Sequence, residues 1–387
     1  KQKVNSYVTI LEDKGSSLTI DDILQPDNQK GFHKIPEQNT LNIGYSQSAF
    51  WIKLIVKNES IEEHSEWWYQ LDLPLLDQSQ FYLIPSGNKT PGFITSKKMS
   101  YDTPLKERDV NHVTQVYRFT LENGEKAAIY LRIKSDFSIH LPLLIYTPVG
   151  FVESVAVEEL LYGAFIGSIL ILIAYNLFMF ISVKEKTFLY YILYMGSYLI
   201  FLITERVHGI SLIGDIPDFF HKENLSFYIW TAWLFALILA RSFLETKEHE
   251  PDLDAIIKLF IALASISVIV SPVLDLTTTI QWAVFGTIPY AILMVWVAYV
   301  AMIRGNPVAH FYFTAWFLNF GGVAVYAFTV TGNLPFNFIT SNSPHFGIIC
   351  QMVIISFALA DRIKVAQRRA TIANQQSLVN LRRYRSL

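Results

Sequence analysis

Leu160 to Val183, LLYGAFIGSILILIAYNLFMFISV, constrains this chain more than any other stretch. It carries no charged side chain and is long enough to cross roughly 30 Å of hydrocarbon as a helix. In hydrocarbon there is no water to satisfy peptide groups, so an open chain of this kind must close its own hydrogen bonds as an α-helix. Six more apolar runs follow: Thr187 to Glu205, Asn224 to Phe243, Ala255 to Leu274, Ile280 to Ile303, Val308 to Val330 and His345 to Ile363. Pro289 falls inside the fifth run and Pro272 near the end of the fourth, positions that bend a membrane helix without ending it. An odd number of crossings puts the two ends of the chain on opposite sides.

The average composition conceals two regimes. The chain is 52% hydrophobic and only 17% charged, against about 25% charged in ordinary globular domains. Its mean hydropathy is +0.31. The excess lies after residue 160, and a net charge of −2 gives no reason to expect nucleic acid as a partner. The single cysteine, Cys350, rules out a disulfide within the chain. The start at Lys1, with neither methionine nor an apolar leader, reads as a processed or trimmed N-terminus.

Residues 1–150 carry the signals of an all-β domain. Phe50, Ile52, Leu54 and Val56 alternate with Trp51, Lys53 and Lys57. Ile129, Leu131 and Ile133 alternate likewise with Tyr130, Arg132 and Lys134, and Trp67, Tyr69, Leu71 and Leu73 repeat the spacing. Breakers such as Pro85-Ser86-Gly87-Asn88, Pro91-Gly92 and Asn123-Gly124 stand between the runs. This spacing predicts a jelly-roll-like β-sandwich. Residues 151–159 predict a short linker helix, 160–364 a seven-helix membrane domain, and 365–387 a cytoplasmic helix.

Basic residues orient the membrane domain. Lys184, Lys186, Arg241, Lys247 and Arg304 fall in loops on the C-terminal side, and Arg362, Lys364, Arg368 and Arg369 follow the last run. The opposite loops hold only Arg206 and Lys222. The bias predicts a cytoplasmic C-terminus and a sandwich on the outer side of the membrane. Beyond the last run, Leu359, Ile363, Ala366, Ala370 and Ala373 follow the seam of a two-stranded coiled coil, with Leu378 and Leu381 off that register. A homodimer through this helix is expected.

These residues resemble the bacterial seven-transmembrane receptors with diverse intracellular signalling modules. Tyr162-Gly163 followed by Ala174-Tyr175-Asn176-Leu177-Phe178 resembles that family's opening membrane signature. The turn Lys184-Glu185-Lys186 and the run Tyr190-Tyr191-Ile192-Leu193-Tyr194 continue it. Upstream, Phe50-Trp51-Ile52-Lys53-Leu54, Asn58, Leu73-Pro74-Leu75-Leu76-Asp77 and Tyr130-Leu131-Arg132 are similar to its extracellular sandwich. The resemblance implies a carbohydrate-binding-like periplasmic sensor and a cytoplasmic output module, such as a diguanylate cyclase working through cyclic-di-GMP or a histidine kinase. The given sequence has no GGDEF run and no kinase nucleotide motif, so the chain itself is expected not to be an enzyme and to need no cofactor. The closing Arg383-Tyr384-Arg385-Ser386-Leu387 looks like the lead-in to a further domain.

Trp51, Trp68, Tyr82, Arg108 and Arg132 are the candidate ligand-binding residues of the sandwich: sugars stack on exposed aromatics, and a carboxylate favours a bidentate guanidinium. Against this, such aromatics are more often core, and such arginines more often satisfy loop carbonyls. Asn176, Asn319 and Gln351 are polar at membrane depth and predict contacts between helices rather than a ligand or ion site. Gly321-Gly322, beside Asn319, predicts close helix approach. Glu205, Arg206, His208, His221 and His345 gather near the outer mouth without the spacing of a metal motif. A receptor for a carbohydrate or carboxylate is the leading expectation. A seven-helix transporter or channel is the alternative, which the lack of mid-span charge disfavours.

Overall fold

A computed structural model describes residues 2–34, 41–59, 64–85, 95–205, 220–330, 333–335 and 337–362. The helix expected over 365–387 lies outside the described residues, as do Ile363, Ala366, Ala370, Ala373, Leu378 and Leu381 of its seam. Leu359 is described, and it is buried inside the membrane bundle rather than on an outer seam.

Alternation dictates the N-terminal half. A six-stranded sheet is built from β2 (Thr9–Asp13), β3 (His33–Lys34), β5 (Ala49–Lys57), β7 (Gln78–Pro85), β8 (Thr95–Ser100) and β10 (Lys126–Lys134), in the order β3-β2-β5-β10-β7-β8. A four-stranded sheet, β1-β12-β6-β9, uses β1 (Gln2–Lys3), β6 (His64–Leu71), β9 (Gln115–Glu122) and β12 (Leu143–Tyr146). The short strands β4 (Leu41–Gly44) and β11 (Ile139–Leu141) pair separately. Phe50, Ile52 and Leu54 face Ile129, Leu131 and Ile133 across one side of the β5–β10 pairing. They share a dry core with Tyr69, Tyr117, Phe119 and Leu143 of the other sheet. Gly124, at φ +76°, makes the turn between β9 and β10 that Asn123-Gly124 predicted.

The opposite face of the six-stranded sheet is covered as well. Residues 18–32 fold over it with two short helices, Ile20–Leu24 and Pro26–Lys30. Thr19 caps the first of these in a reciprocal capping box with Asp22. Ile23 seals Trp51, Tyr82 and Tyr130 beneath this lid.

Among the described residues, seven helices are long and apolar enough to cross a membrane: Pro148–Val183, Lys186–Glu205, Lys222–Phe243, Pro251–Val270, Leu276–Ile303, Ala309–Thr329 and Ser343–Arg362. They are named the first to seventh spans below. The first span includes the segment expected as a linker; helix runs unbroken from Pro148, whose ring suits the first turn. Pro289 sits within the continuous fifth span. The second, third and seventh spans are the most enclosed and the first the least. Their shared core is aromatic at its centre, with Tyr191, Tyr194, Trp233, Tyr312 and Trp316.

Gly322 accounts for the tight pairing of the sixth and seventh spans. A Cβ there would lie 2.3 Å from the Ser343 carbonyl oxygen, whereas one on Gly321 would meet nothing within 4 Å. Gly322→Ala is therefore expected to force the two backbones apart at a cost of about 1–3 kcal/mol. Thermal unfolding of detergent-solubilised protein should show a lower Tm for Gly322→Ala and an unchanged one for Gly321→Ala.

Candidate functional site

The sandwich sits directly on the bundle. Strand β12 ends at Tyr146 and the first span begins at Pro148, leaving Thr147 alone between them, its hydroxyl accepting from the Gly150 N–H at 3.3 Å. Phe151, on the first turn, inserts its ring among Trp68 at 5.0 Å, His112 at 5.1 Å and Tyr146 at 5.5 Å. A second apolar seam joins Phe137 of the sandwich to Leu225 and Ile280, at the starts of the third and fifth spans.

Asp77 ties the seam together. It closes the Leu73-Pro74-Leu75-Leu76-Asp77 turn and accepts from the Asp136 N–H at 2.6 Å and the Ser135 hydroxyl at 3.2 Å. Its other oxygen pairs with Lys222, just ahead of the third span. The Lys222 ammonium also lies 4.5 Å from the centre of the Tyr101 ring, which supplies a cation–π contact. Both partners are largely enclosed, so removing either one would leave a poorly solvated charge, a loss of about 3 kcal/mol. On the far edge of the seam His140 Nε2 and the Tyr326 hydroxyl are 3.2 Å apart, which joins β11 to the sixth span.

Between these ties lies a chamber of about 1380 Å³. Its roof is sandwich, including Leu73, Phe137 and His140, and its walls come from six spans. Trp233, Trp316 and Asn319 lie at its floor. Trp233 is eight residues along its helix from Leu225, roughly 12 Å at 1.5 Å per residue, so the chamber reaches the middle of the bundle. Pockets that hold drug-sized ligands measure about 300–1,000 Å³, and this space exceeds that range.

Below the floor runs a chain of polar side chains. Asn319 donates to Gln351 at 2.8 Å, and Tyr194 donates to the same oxygen at 3.1 Å. Tyr191 donates to the Met352 carbonyl. Asn176 donates to Ser356 at 3.1 Å, and Ser356 donates to Tyr191 at 3.3 Å. The first, second, sixth and seventh spans are thereby linked, each bond contributing about 0.6–2 kcal/mol in a membrane. At the far end, Arg362 of the seventh span donates to the Ser242 carbonyl at 3.2 Å and pairs with Glu245 and, at 3.6 Å, Glu185.

The structure brings together only some of the sandwich residues singled out from sequence. Trp51 is fully buried and stacks on Tyr82 at 5.7 Å, leaving no face for a sugar ring. Arg108 is buried and its guanidinium donates to five carbonyls, those of Ser100, Tyr101, Thr103, His112 and Val113. That burial draws its pKa below the usual arginine value. Arg132 donates to the Ser16 carbonyl at 2.9 Å, and Trp68 donates to Glu66 at 2.8 Å while packing on Phe151. Trp51, Tyr82 and Arg132 thus share the lidded face of the six-stranded sheet, with Arg132 opposite Trp51 in the β5–β10 register, while Trp68 packs at the Phe151 seam and Arg108 is held by the backbone of residues 100–113. His345 lies against Tyr162 and Phe165; Arg206 and His208 lie outside the described residues. Lys222, Asp77 and the chamber aromatics were not singled out. Asp77 ends a turn conspicuous in the sequence, and Lys222 is one of only two cations in the loops on its side.

Residues 158–362, more than half of the chain, match the family described as 7TM diverse intracellular signalling. Residues 5–147 match the one described as 7TMR-DISM extracellular 2. No curated protein matches the chain.

His140 makes the seam sensitive to acid. Burial holds its pKa below the ordinary 6.5. An unfolded chain takes up the proton below pH 6.5 while the seam resists it, so stability is lost as pH falls from 6.5 towards the lowered value. Melting curves at pH 7.5 and pH 5.5 should show a fall in Tm that His140→Gln reduces.

Proposed function

The chain belongs to the 7TM diverse intracellular signalling family, and from that premise we propose a receptor in a bacterial inner membrane that senses a small molecule on the sandwich side. Membership of the family and the seven spans make it a membrane receptor coupled to intracellular signalling. In this reading the sandwich is periplasmic and the C-terminus cytoplasmic. Support for that orientation comes from Arg241, Lys258, Arg304 and Arg362, which pair with acidic residues at the end away from the sandwich.

The single observation that carries the proposal is the chamber walled jointly by sandwich and spans. A molecule inside it touches both domains at once, so any preference for one arrangement of them shifts how the spans pack. The shift is limited to the ligand's differential affinity for the two arrangements. The polar chain from Asn319 through Gln351 links that floor to the seventh span, whose base Arg362 holds against the loops after the first and third spans.

In this reading the signal passes from Arg362 to residues outside the described ones, where a dimeric coiled coil would drive a cytoplasmic output module such as a diguanylate cyclase or a histidine kinase. These 387 residues perform no catalysis of their own in this reading, need no cofactor and bind no nucleic acid. Its partners are the ligand, the bilayer, a second copy and the output module.

Ala232 lines the chamber, so Ala232→Trp should act as a permanent occupant, with Ile229→Trp as a second plug. Spin labels at positions 247 and 361, with Cys350→Ser, should report a changed distance in either variant and none in Ile269→Trp on the lipid face. Identical distances in folded plugged variants would overturn the proposal. Inserting one residue after Ala370 in the full-length protein should alter output; unchanged output would count against the coiled-coil relay.

A further inference from the structure

How the spans pair around the chamber points to the chemistry of its occupant. Near the sandwich the fifth span is drawn onto the third. A Cβ on Gly286 would stand 2.5 Å from Trp230, whose ring fills that space and meets Trp282 at 5.9 Å and Tyr290 at 5.5 Å. The Trp233 indole donates to Thr287 at 2.9 Å beside it. The sixth span is drawn onto the seventh instead. Ser343 approaches Gly322, and a Cβ on Gly347 would lie 3.0 Å from the carbonyl oxygens of Leu318 and Asn319.

The fifth and sixth spans also meet each other, but away from the sandwich. Tyr299 and Phe313 have ring centres 6.2 Å apart, and the Tyr312 hydroxyl lies 3.5 Å from the Met294 sulfur. Both contacts fall beyond Pro289, on the side away from the sandwich. Between Pro289 and the sandwich, Phe285 and Ile288 of the fifth span and Val323 of the sixth line the chamber while 60%, 55% and 46% exposed. The roof residues Leu73 and Phe137 are only 6% and 7% exposed. Exposure on that scale means that, among the described residues, no neighbouring span packs over these three side chains at this level.

We propose that the chamber opens sideways into the bilayer between the fifth and sixth spans, and that its occupant is a single-chain amphiphile drawn from the leaflet on the sandwich side. The inference rests on the chamber being the receiving site. The chain lies among Trp233, Trp316 and Phe320, and the head reaches the polar rim where Asp72, His140, Glu205 and Tyr326 gather. A sugar placed at the floor would bring many hydroxyls against aromatic rings with few partners for them. A lipid chain gains nothing by leaving one hydrocarbon surrounding for another, so selectivity falls to the head and to packing against the rings.

The test uses the whole chain in nanodiscs and a monoacylglycerol carrying a diazirine near the end of its acyl chain. Irradiation should label Trp233, Trp316 or Phe320, and excess unlabelled monoacylglycerol should lower that labelling at least fivefold. Val323→Trp and, as an independent plug, Val284→Trp should lower it about tenfold, while Ile269→Trp leaves it unchanged. Labelling confined to lipid-facing side chains such as Ile266 and Phe317, or chamber labelling indifferent to both plugs, would overturn the proposal. If labelling stays outside while Ala232→Trp still changes the 247–361 distance, the amphiphile fails and the chamber stands as the signalling element. If that distance is also unchanged, both fail.

Discussion

One residue separates two folds. Thr147 stands between the last strand of the sandwich and a helix that runs on without a break, past Glu158 and Glu159, into the apolar stretch that begins at Leu160. A longer connector would let the sandwich tumble above the bundle. With none, Phe151 is delivered into the sandwich by the first turn of the helix, and the two folds must share a seam. The Asp77–Lys222 pair, the Phe137 cluster and the His140–Tyr326 contact close that seam at other points, and the chamber is the space they leave.

The seam and the floor are different kinds of contact. The seam includes the buried imidazole of His140, so its strength varies with acidity. The floor is a run of neutral amides and hydroxyls at membrane depth, where protonation has no hold and geometry decides. Asn319 and Tyr194 converge on one oxygen of Gln351, so a displacement of the second or sixth span is felt by the seventh through a shared acceptor. At the far end Arg362 reads the loops after the first and third spans together. Spatial continuity of this sort permits coupling; energetic coupling is what a ligand's unequal affinity for two packings would supply.

Much of the fold was legible because the physics behind it is local. Uncharged runs of about 20 residues announce spans, and Phe50, Ile52 and Leu54 announce a strand with one buried face. Asn176, Asn319 and Gln351 could be read as contacts between helices because a polar group in hydrocarbon needs a partner. What stayed hidden is non-local. Nothing in the alternation of β5 reveals that residues 18–32 return to cover Trp51, so an aromatic on the outward face looked available to a ligand. Arg108 looked equally free until five carbonyls met its guanidinium. Asp77 and Lys222 are 145 residues apart. The chamber is the hardest case: Trp233 and Phe320 are apolar in an apolar helix, and periodicity cannot distinguish a wall facing an internal space from one facing lipid.

The account stands on the sandwich and the bundle holding one fixed relation around the chamber. Spin labels at Ile55 on the sandwich and Ile269 at the sandwich end of the fourth span, both exposed, would measure it directly in nanodiscs with Cys350→Ser. A docked sandwich gives a single narrow distance distribution. A broad distribution, as from a domain swinging on a tether, would contradict the shared chamber and every step that depends on it.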